Sequence, residues 1–191
     1  LFMELTPARV IGVTGSDGKT TTTTLTSLFL QAERDLHGTP GRVFVGGNIG
    51  EPLLPRVEDM TAEDFAVVEL SSFQLSDMTV SPWRAAVTNL SPNHLNWHTD
   101  MEEYIEAKAN IFRGTGNNLL VTNAENGDCL RLAAECSVPV TLFSTQKREP
   151  EDFPLVASGC VYVRDGRIVV NGTPMLAVAD ILLPGRHNLE N

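Results

Sequence analysis

The chain has 191 residues, 42% hydrophobic and 20% charged, with a formal net charge of −10. This is the size and composition of one large globular domain with a real core, and it excludes a disordered chain. The acidic balance leaves no basic stripe to meet a phosphate backbone, which argues against nucleic acid as a partner.

No apolar run approaches the roughly 18 residues of a membrane span, and the first residues, Leu1 to Pro7, lack a basic-then-apolar leader pattern. Cys129, Cys136 and Cys160 are odd in number and show no metal-ligand spacing, as expected of reduced structural thiols in a cytoplasmic protein. The chain does not begin with methionine, and its last residues read as the first turn of a helix, so a piece of a longer polypeptide is expected.

Val10 to Val13 is an apolar run that reads as a buried strand. Gly15-Ser16-Asp17-Gly18 follows as a tight turn, and Lys19-Thr20-Thr21 opens a helix. Leu25, Leu28, Phe29 and Ala32 fall at i, i+3, i+4 and i+7, the spacing of one helical face. Strand, glycine turn, Lys-Thr and helix together make a phosphate-binding loop. Its backbone N–H groups and the helix N-terminus attract an anion, Lys19 reaches terminal phosphates, and the Thr20 hydroxyl holds Mg²⁺. The general pattern asks for a glycine five residues before Gly18, where Val13 stands. With a net charge of −10, the chain needs Mg²⁺ and a few placed cations to hold a nucleotide.

Arg42 to Val45 reads as a short strand ending in Gly46-Gly47-Asn48-Ile49-Gly50, where two glycines suggest either close approach of a ligand or a turn. Glu51 to Met60 holds a short helix broken up by Pro52 and Pro55. Phe65 to Leu70 is a buried strand with Glu69 near its carboxyl end, where ligands gather in open α/β sheets. A buried carboxylate needs a partner, either Mg²⁺ or a basic side chain. Ser71-Ser72-Phe73-Gln74 reads as a polar turn.

Ala85 to Leu90 is a further core strand, running into a loop that carries His94 and His98. Each histidine could ligate a metal, take a proton or cap the next helix, and the pattern leaves these open. Helix 101–112 places Met101, Tyr104, Ile105 and Phe112 on one face together with Lys108. A lysine there either snorkels to the surface or is buried with a lowered pKa, as a neutral amine able to add CO₂ and become a carbamate. Strands at 118–122 and 138–143 flank a helix at 128–135, and the charged, proline-containing 145–154 reads as loop. Residues 160–170 form a hairpin turning at Asp165-Gly166, and Pro184-Gly185 leads into the terminal half-helix. The alternation predicts an α/β fold of phosphate-loop type. Its sheet is mostly parallel with helices on both faces, and a small antiparallel extension lies near the C-terminus.

As an ordered set, these pieces resemble the central domain of the Mur ligases, the ATP-dependent amide-forming enzymes of peptidoglycan synthesis. The resemblance rests on Thr14-Gly-Ser-Asp-Gly-Lys-Thr-Thr21, Gly47-Asn48-Ile49-Gly50, Asn89-x-x-x-Asn93-His94-Leu95, Tyr104-x-x-Ala107-Lys108 and Gly185-x-His187-Asn188-x-x-Asn191. Within the family, Glu69-Leu-Ser-Ser-Phe-Gln-Leu75 is similar to the D-glutamate-adding member.

The resemblance implies that ATP sits on Gly15, Ser16, Asp17, Gly18, Lys19, Thr20 and Thr21, with Asn188 and Asn191 also on the nucleotide. It implies two Mg²⁺ ions, one on Thr20 and Glu69, the other on His94 and a carbamylated Lys108. Asn48, Ser71, Gln74 and His94 would contact UDP-N-acetylmuramoyl-L-alanine, with D-glutamate as the second substrate. Lys19, Glu69, His94 and Lys108 would carry the catalysis. The expected organisation is one central ATPase domain, residues 1–191, of a larger monomeric ligase whose UDP-binding and amino-acid-binding domains lie elsewhere. Two departures stand out: Asn93 and Asn96 occupy positions where the family commonly has Asp, which weakens any carboxylate help to His94. A folylpolyglutamate synthetase-like member, or a nucleotide-binding module without catalysis, are the alternative readings.

Overall fold

The computed structural model describes residues 1–92, 98–147, 149–155 and 157–191. A short helix, α1 (Phe2–Leu5), precedes β1 (Arg9–Thr14), α2 (Lys19–His37), β2 (Val43–Gly47), β3 (Phe65–Glu69), α3 (Ser72–Ser76), β4 (Arg84–Val87) and α4 (Met101–Arg113). Then come β5 (Leu120–Asn123), α5 (Gly127–Glu135), β6 (Val140–Phe143), β7 (Gly159–Arg164), β8 (Arg167–Val170), β9 (Thr173–Ala177) and α6 (His187–Glu190). A 3₁₀ turn at Leu54–Asp59 takes the place of the proline-broken helix.

The strands form one sheet in the order β2-β3-β1-β4-β5-β6-β7-β8-β9. The pairs from β2 to β7 are parallel, and β7-β8-β9 is antiparallel. Strand order reverses direction at β1. Right-handed crossovers therefore put α2 on one face and α3, α4 and α5 on the other. A crevice opens at such a reversal, outside the carboxyl ends of the strands. The core between sheet and helices is built from Val10, Ala66, Val68, Leu75, Val87, Ile105, Ile111, Leu120 and Leu132 among others.

Helix α2 and the C-terminal hairpin also differ from the sequence expectation. The apolar stripe of α2 faces outward: Leu28, Phe29 and Leu36 are 58%, 67% and 79% exposed, while Thr23, Ser27 and Arg34 face inward. Small hydroxyl residues let the helix lie close on the sheet. Arg34 stacks its guanidinium over Phe65 at 4.9 Å and donates to the Glu63 carbonyl. The hairpin also gains a third strand. Asn171-Gly172 repeats the left-handed turn of Asp165-Gly166, with φ of 49° and 82° against 51° and 70°, and returns the chain as β9.

Candidate active site

The phosphate loop leaves β1 at Thr14 and enters α2 at Lys19. Gly15 has φ +146°, and a side chain there would overlap the Thr88 hydroxyl, so the loop passes flush against the end of β4. Backbone and side-chain bonds hold it there: Ser16 N–H to Asn89 O (2.9 Å), Asp17 N–H to Asn89 Oδ1 (2.9 Å) and Thr88 Oγ1 to Asp17 O (2.6 Å). Ser16 Oγ exchanges two hydrogen bonds with the Ser91 main chain and lies 3.1 Å from the buried Tyr104 hydroxyl. These bonds fix the path of the loop against residues 88–91.

Two ammonium groups converge on this loop. Lys19 Nζ donates to Gly15 O (3.0 Å) and Ser16 O (2.8 Å). Lys108 Nζ donates to the same Gly15 O (3.1 Å) and to Thr14 Oγ1 (3.0 Å), and sits 4.7 Å over the Tyr104 ring. Lys108 is 1% exposed, so it is buried and does not snorkel. Burial, and then the Lys19 charge, push its amine down to about 7, against the opposing pull of Glu69.

Glu69 ends β3 between Val13 of β1 and Gly47 of β2, at the carboxyl rim. It is 2% exposed. Its Oε2 accepts from Thr20 Oγ1 (2.8 Å) and its Oε1 from Asn48 Nδ2 (3.0 Å). The two glycines before Asn48 serve backbone packing: a side chain on Gly47 would overlap Glu69 O, and one on Gly46 would meet Glu51 O and Leu53 at 2.6 Å.

Ser71 and Gln74, read from sequence as part of a turn, begin α3. Ser71 Oγ accepts from Gln74 N–H (3.3 Å) while Gln74 Oε1 accepts from Ser71 N–H (2.9 Å), a reciprocal capping box. At the far end of the sequence, Asn191 Oδ1 lies against Gly18, where a side chain on that glycine would stand. Asn191 Nδ2 donates to Asn188 Oδ1 (3.3 Å), so α6 docks on the phosphate loop. Thr21 is half-buried in the first turn of α2, beside Thr20. Asn93, His94 and Asn96 lie outside the described residues. The structure therefore brings Lys19, Thr20, Glu69, Asn48, Lys108 and Asn191 to one rim.

Thr20 and Glu69 fit a hard cation. Two oxygen donors converge, one an otherwise neutral-bonded buried carboxylate, as Mg²⁺ prefers. Among the described residues no three His, Cys, Asp or Glu side chains group as a metal cluster, so any such ion would rest on few protein ligands. His98, whose role the sequence pattern leaves open between metal ligand, proton acceptor and helix cap, is buried against α3 and α4.

A parallel sheet with a phosphate loop at its strand-order reversal, and lysine and carboxylate gathered there, defines a phosphate-loop α/β domain. The chain belongs to the Mur ligase middle-domain family, whose model matches residues 13–191. It is similar to the UDP-N-acetylmuramoylalanine–D-glutamate ligase of Clostridium perfringens, with 44% identity over 191 residues. All of this chain is matched, against 39% of that protein, so the chain spans about two fifths of such relatives. A structure of UDP-N-acetylmuramoyl-L-alanyl-D-glutamate–2,6-diaminopimelate ligase shares the fold with a TM-score of 0.71 and 22% identity, covering 96% of this chain and 41% of that one. Escherichia coli FolC in complex with DHPP and ADP does so with a TM-score of 0.54 and 17% identity, over 98% of this chain and 52% of that one. No helix among the described residues is long and apolar enough to cross a membrane.

Proposed function

We propose that this chain is the central, ATP-handling domain of a larger ligase that joins D-glutamate to UDP-N-acetylmuramoyl-L-alanine. The observation that carries the reading is the buried Glu69 carboxylate, held between the phosphate-loop hydroxyl of Thr20 and the Asn48 amide. A plain nucleotide-binding loop has no need of that second arm. It faces β2, where an acyl substrate would meet the terminal phosphate.

In this reading the substrate carboxylate attacks the γ-phosphorus of ATP, the bond to the β-phosphate oxygen breaks and ADP leaves. The D-glutamate amine then attacks the acyl phosphate, and inorganic phosphate departs. Lys19 swings from the carbonyls of Gly15 and Ser16 onto the β- and γ-phosphates, and the amides from Gly15 to Thr21 cradle them. Asn188 and Asn191 face the nucleotide. Asn48, Ser71, Gln74 and His94 orient the muramoyl-alanine part. Thr20 and Glu69 would hold one Mg²⁺, and His94 and a carbamylated Lys108 would hold a second. Bound Mg²⁺ would offset the repulsion between carboxylate and triphosphate. An amine lowered to about 7 supports carbamate formation, because only the neutral form adds CO₂.

We place the enzyme in the cytoplasm, where cysteines stay unpaired, and read it as a monomer. The test is phosphate release from ATP by the full-length enzyme given UDP-N-acetylmuramoyl-L-alanine and D-glutamate. Turnover should require both, and Lys19→Ala should lower acyl-phosphate formation by about a hundredfold or more. Turnover only with a folate and L-glutamate would replace this reading with the folylpolyglutamate synthetase one. Nucleotide binding without turnover would favour the inactive module.

A further inference from the structure

His98 is 5% exposed and lies between α3 and the start of α4. Its Nε2 is 2.9 Å from Ser72 Oγ, at the first residue of α3. Its ring stacks on Phe73, with centroids 5.5 Å apart and planes 6° from parallel. It also meets Tyr104 edge-on at 5.4 Å. The buried Nδ1 faces Glu103 Oε1 at 3.6 Å, too long for a hydrogen bond but close enough to favour hydrogen on Nδ1. Nε2 is then the acceptor, and the Ser72 hydroxyl donates to it.

Helix α3 has five residues, too few to hold its shape without tertiary contacts. Its C-terminal end is tied to α4 by Asn110 Nδ2, which donates to Leu75 O (2.9 Å) and Ser76 O (3.2 Å). Its N-terminal end is tied by His98. Ser71 immediately precedes the anchored Ser72, and Gln74 is locked to Ser71 by the capping box. The same imidazole borders Tyr104, which touches Ser16 of the phosphate loop and underlies Lys108.

We propose that His98 is a positioning residue: it clamps the first turn of α3 to α4, and so sets the distance of Ser71 and Gln74 from the phosphate loop. This rests on the ligase reading for the roles of Ser71 and Gln74. Without the clamp, α3 pivots on Asn110 and the acyl-substrate contacts lose register while the nucleotide contacts stay.

The experiment uses the full-length enzyme with His98→Phe and His98→Gln. His98→Phe keeps the stack but leaves the Ser72 hydroxyl unpaired; His98→Gln supplies an acceptor. His98→Phe should raise KM for UDP-N-acetylmuramoyl-L-alanine about tenfold with KM for ATP within about twofold, and His98→Gln should recover most of the loss. Hydrogen exchange should quicken at residues 72–76 in His98→Phe and stay unchanged at 14–20. A fall in melting temperature and in kcat with both KM values unchanged would reduce His98 to a structural residue and overturn the proposal. If the wild type does not turn over this substrate, the ligase reading fails by itself. Exchange at 72–76 then decides the clamp: faster exchange supports it and unchanged exchange overturns it.

Discussion

Lys19 and Lys108 share one acceptor, the Gly15 carbonyl, and that sharing is the central electrostatic fact of the rim. Two like charges on one oxygen, one of them fully buried, lower the cost of losing a proton from Lys108. The sign is clear: above about pH 7 the neutral amine dominates, and below it the ammonium does. Full-length enzyme in ¹³C-bicarbonate should therefore develop a lysine carbamate signal by NMR as pH rises through about 7, and Lys108→Ala should lack it. No signal at pH 8 would leave the carbamate without support. Acetate should partly restore turnover to Lys108→Ala. Glu69→Gln tests the neighbouring oxygen pair. It should raise the Mg²⁺ concentration needed for half-maximal turnover, with little change in melting temperature, because one amide can still meet one of the two donors. Periodicity left Lys108 undecided between snorkelling and burial. Its fate depends on Thr14, Gly15 and Tyr104, which reach it from β1, the phosphate loop and one turn back on α4.

Among the elements, α2 and α3 are the informative ones. Helix α2 was legible from its glycine turn and its spacing, but the face it buries was not. Thr23 and Ser27 lie inward because small side chains let the phosphate-loop helix approach β1 and β3 closely. Leu28→Ala in this chain should therefore cost under about 1 kcal/mol by urea unfolding, whereas Leu75→Ala, fully buried in the core, should cost about 2–5 kcal/mol. Equal costs would mean that the α2 stripe is packed after all. Helix α3 carries a readable signal, Ser followed three residues later by Gln, which is the capping-box pattern. Five residues are too short a run for periodicity to reveal, and the segment reads as a turn until Leu75 is seen in the core. Strand β9 was equally hidden. Its Asn171-Gly172 turn is explicit, but Thr173 to Ala177 contains a proline and is mostly exposed, so only pairing with β8 makes it a strand.

Across the whole molecule the sheet has two poles with different jobs. The carboxyl rim gathers buried charge for chemistry, and the opposite end carries a structural carboxylate. Asp64, 1% exposed, accepts from Arg42 N–H (2.5 Å), Thr61 N–H (2.8 Å) and the Arg42 guanidinium (3.1 Å). Burial alone would push its carboxyl up, but the Arg42 bonds and then the Thr61 bond outweigh it and hold it at about 2. A depressed carboxyl stabilises the fold above its unfolded pKa, about 3.9, and that contribution is lost as pH falls through about 2. The stake is about 2 kcal/mol. Urea unfolding between pH 5 and pH 2 should show this loss in the wild type, and Asp64→Asn should be weaker at pH 5 with a flatter acid slope. A slope identical in both would remove Asp64 from the account.

Sequence alone determined the order of the strands and helices other than α1, α3 and β9, the phosphate loop and the identity of the lysines and carboxylate, because local spacing and turn chemistry act within a few residues. Which of these groups meet was decided by the tertiary structure. Thr20 lies in the first turn of α2, beyond the end of β1, while Asn48 and Glu69 lie at the ends of β2 and β3, and only parallel pairing of β2, β3 and β1 in register brings their oxygens and amide together. The burial of Lys108 and the clamp of His98 on α3 have the same cause. Both depend on side chains arriving from elements far apart in the chain, at distances that only the packed sheet and helices set.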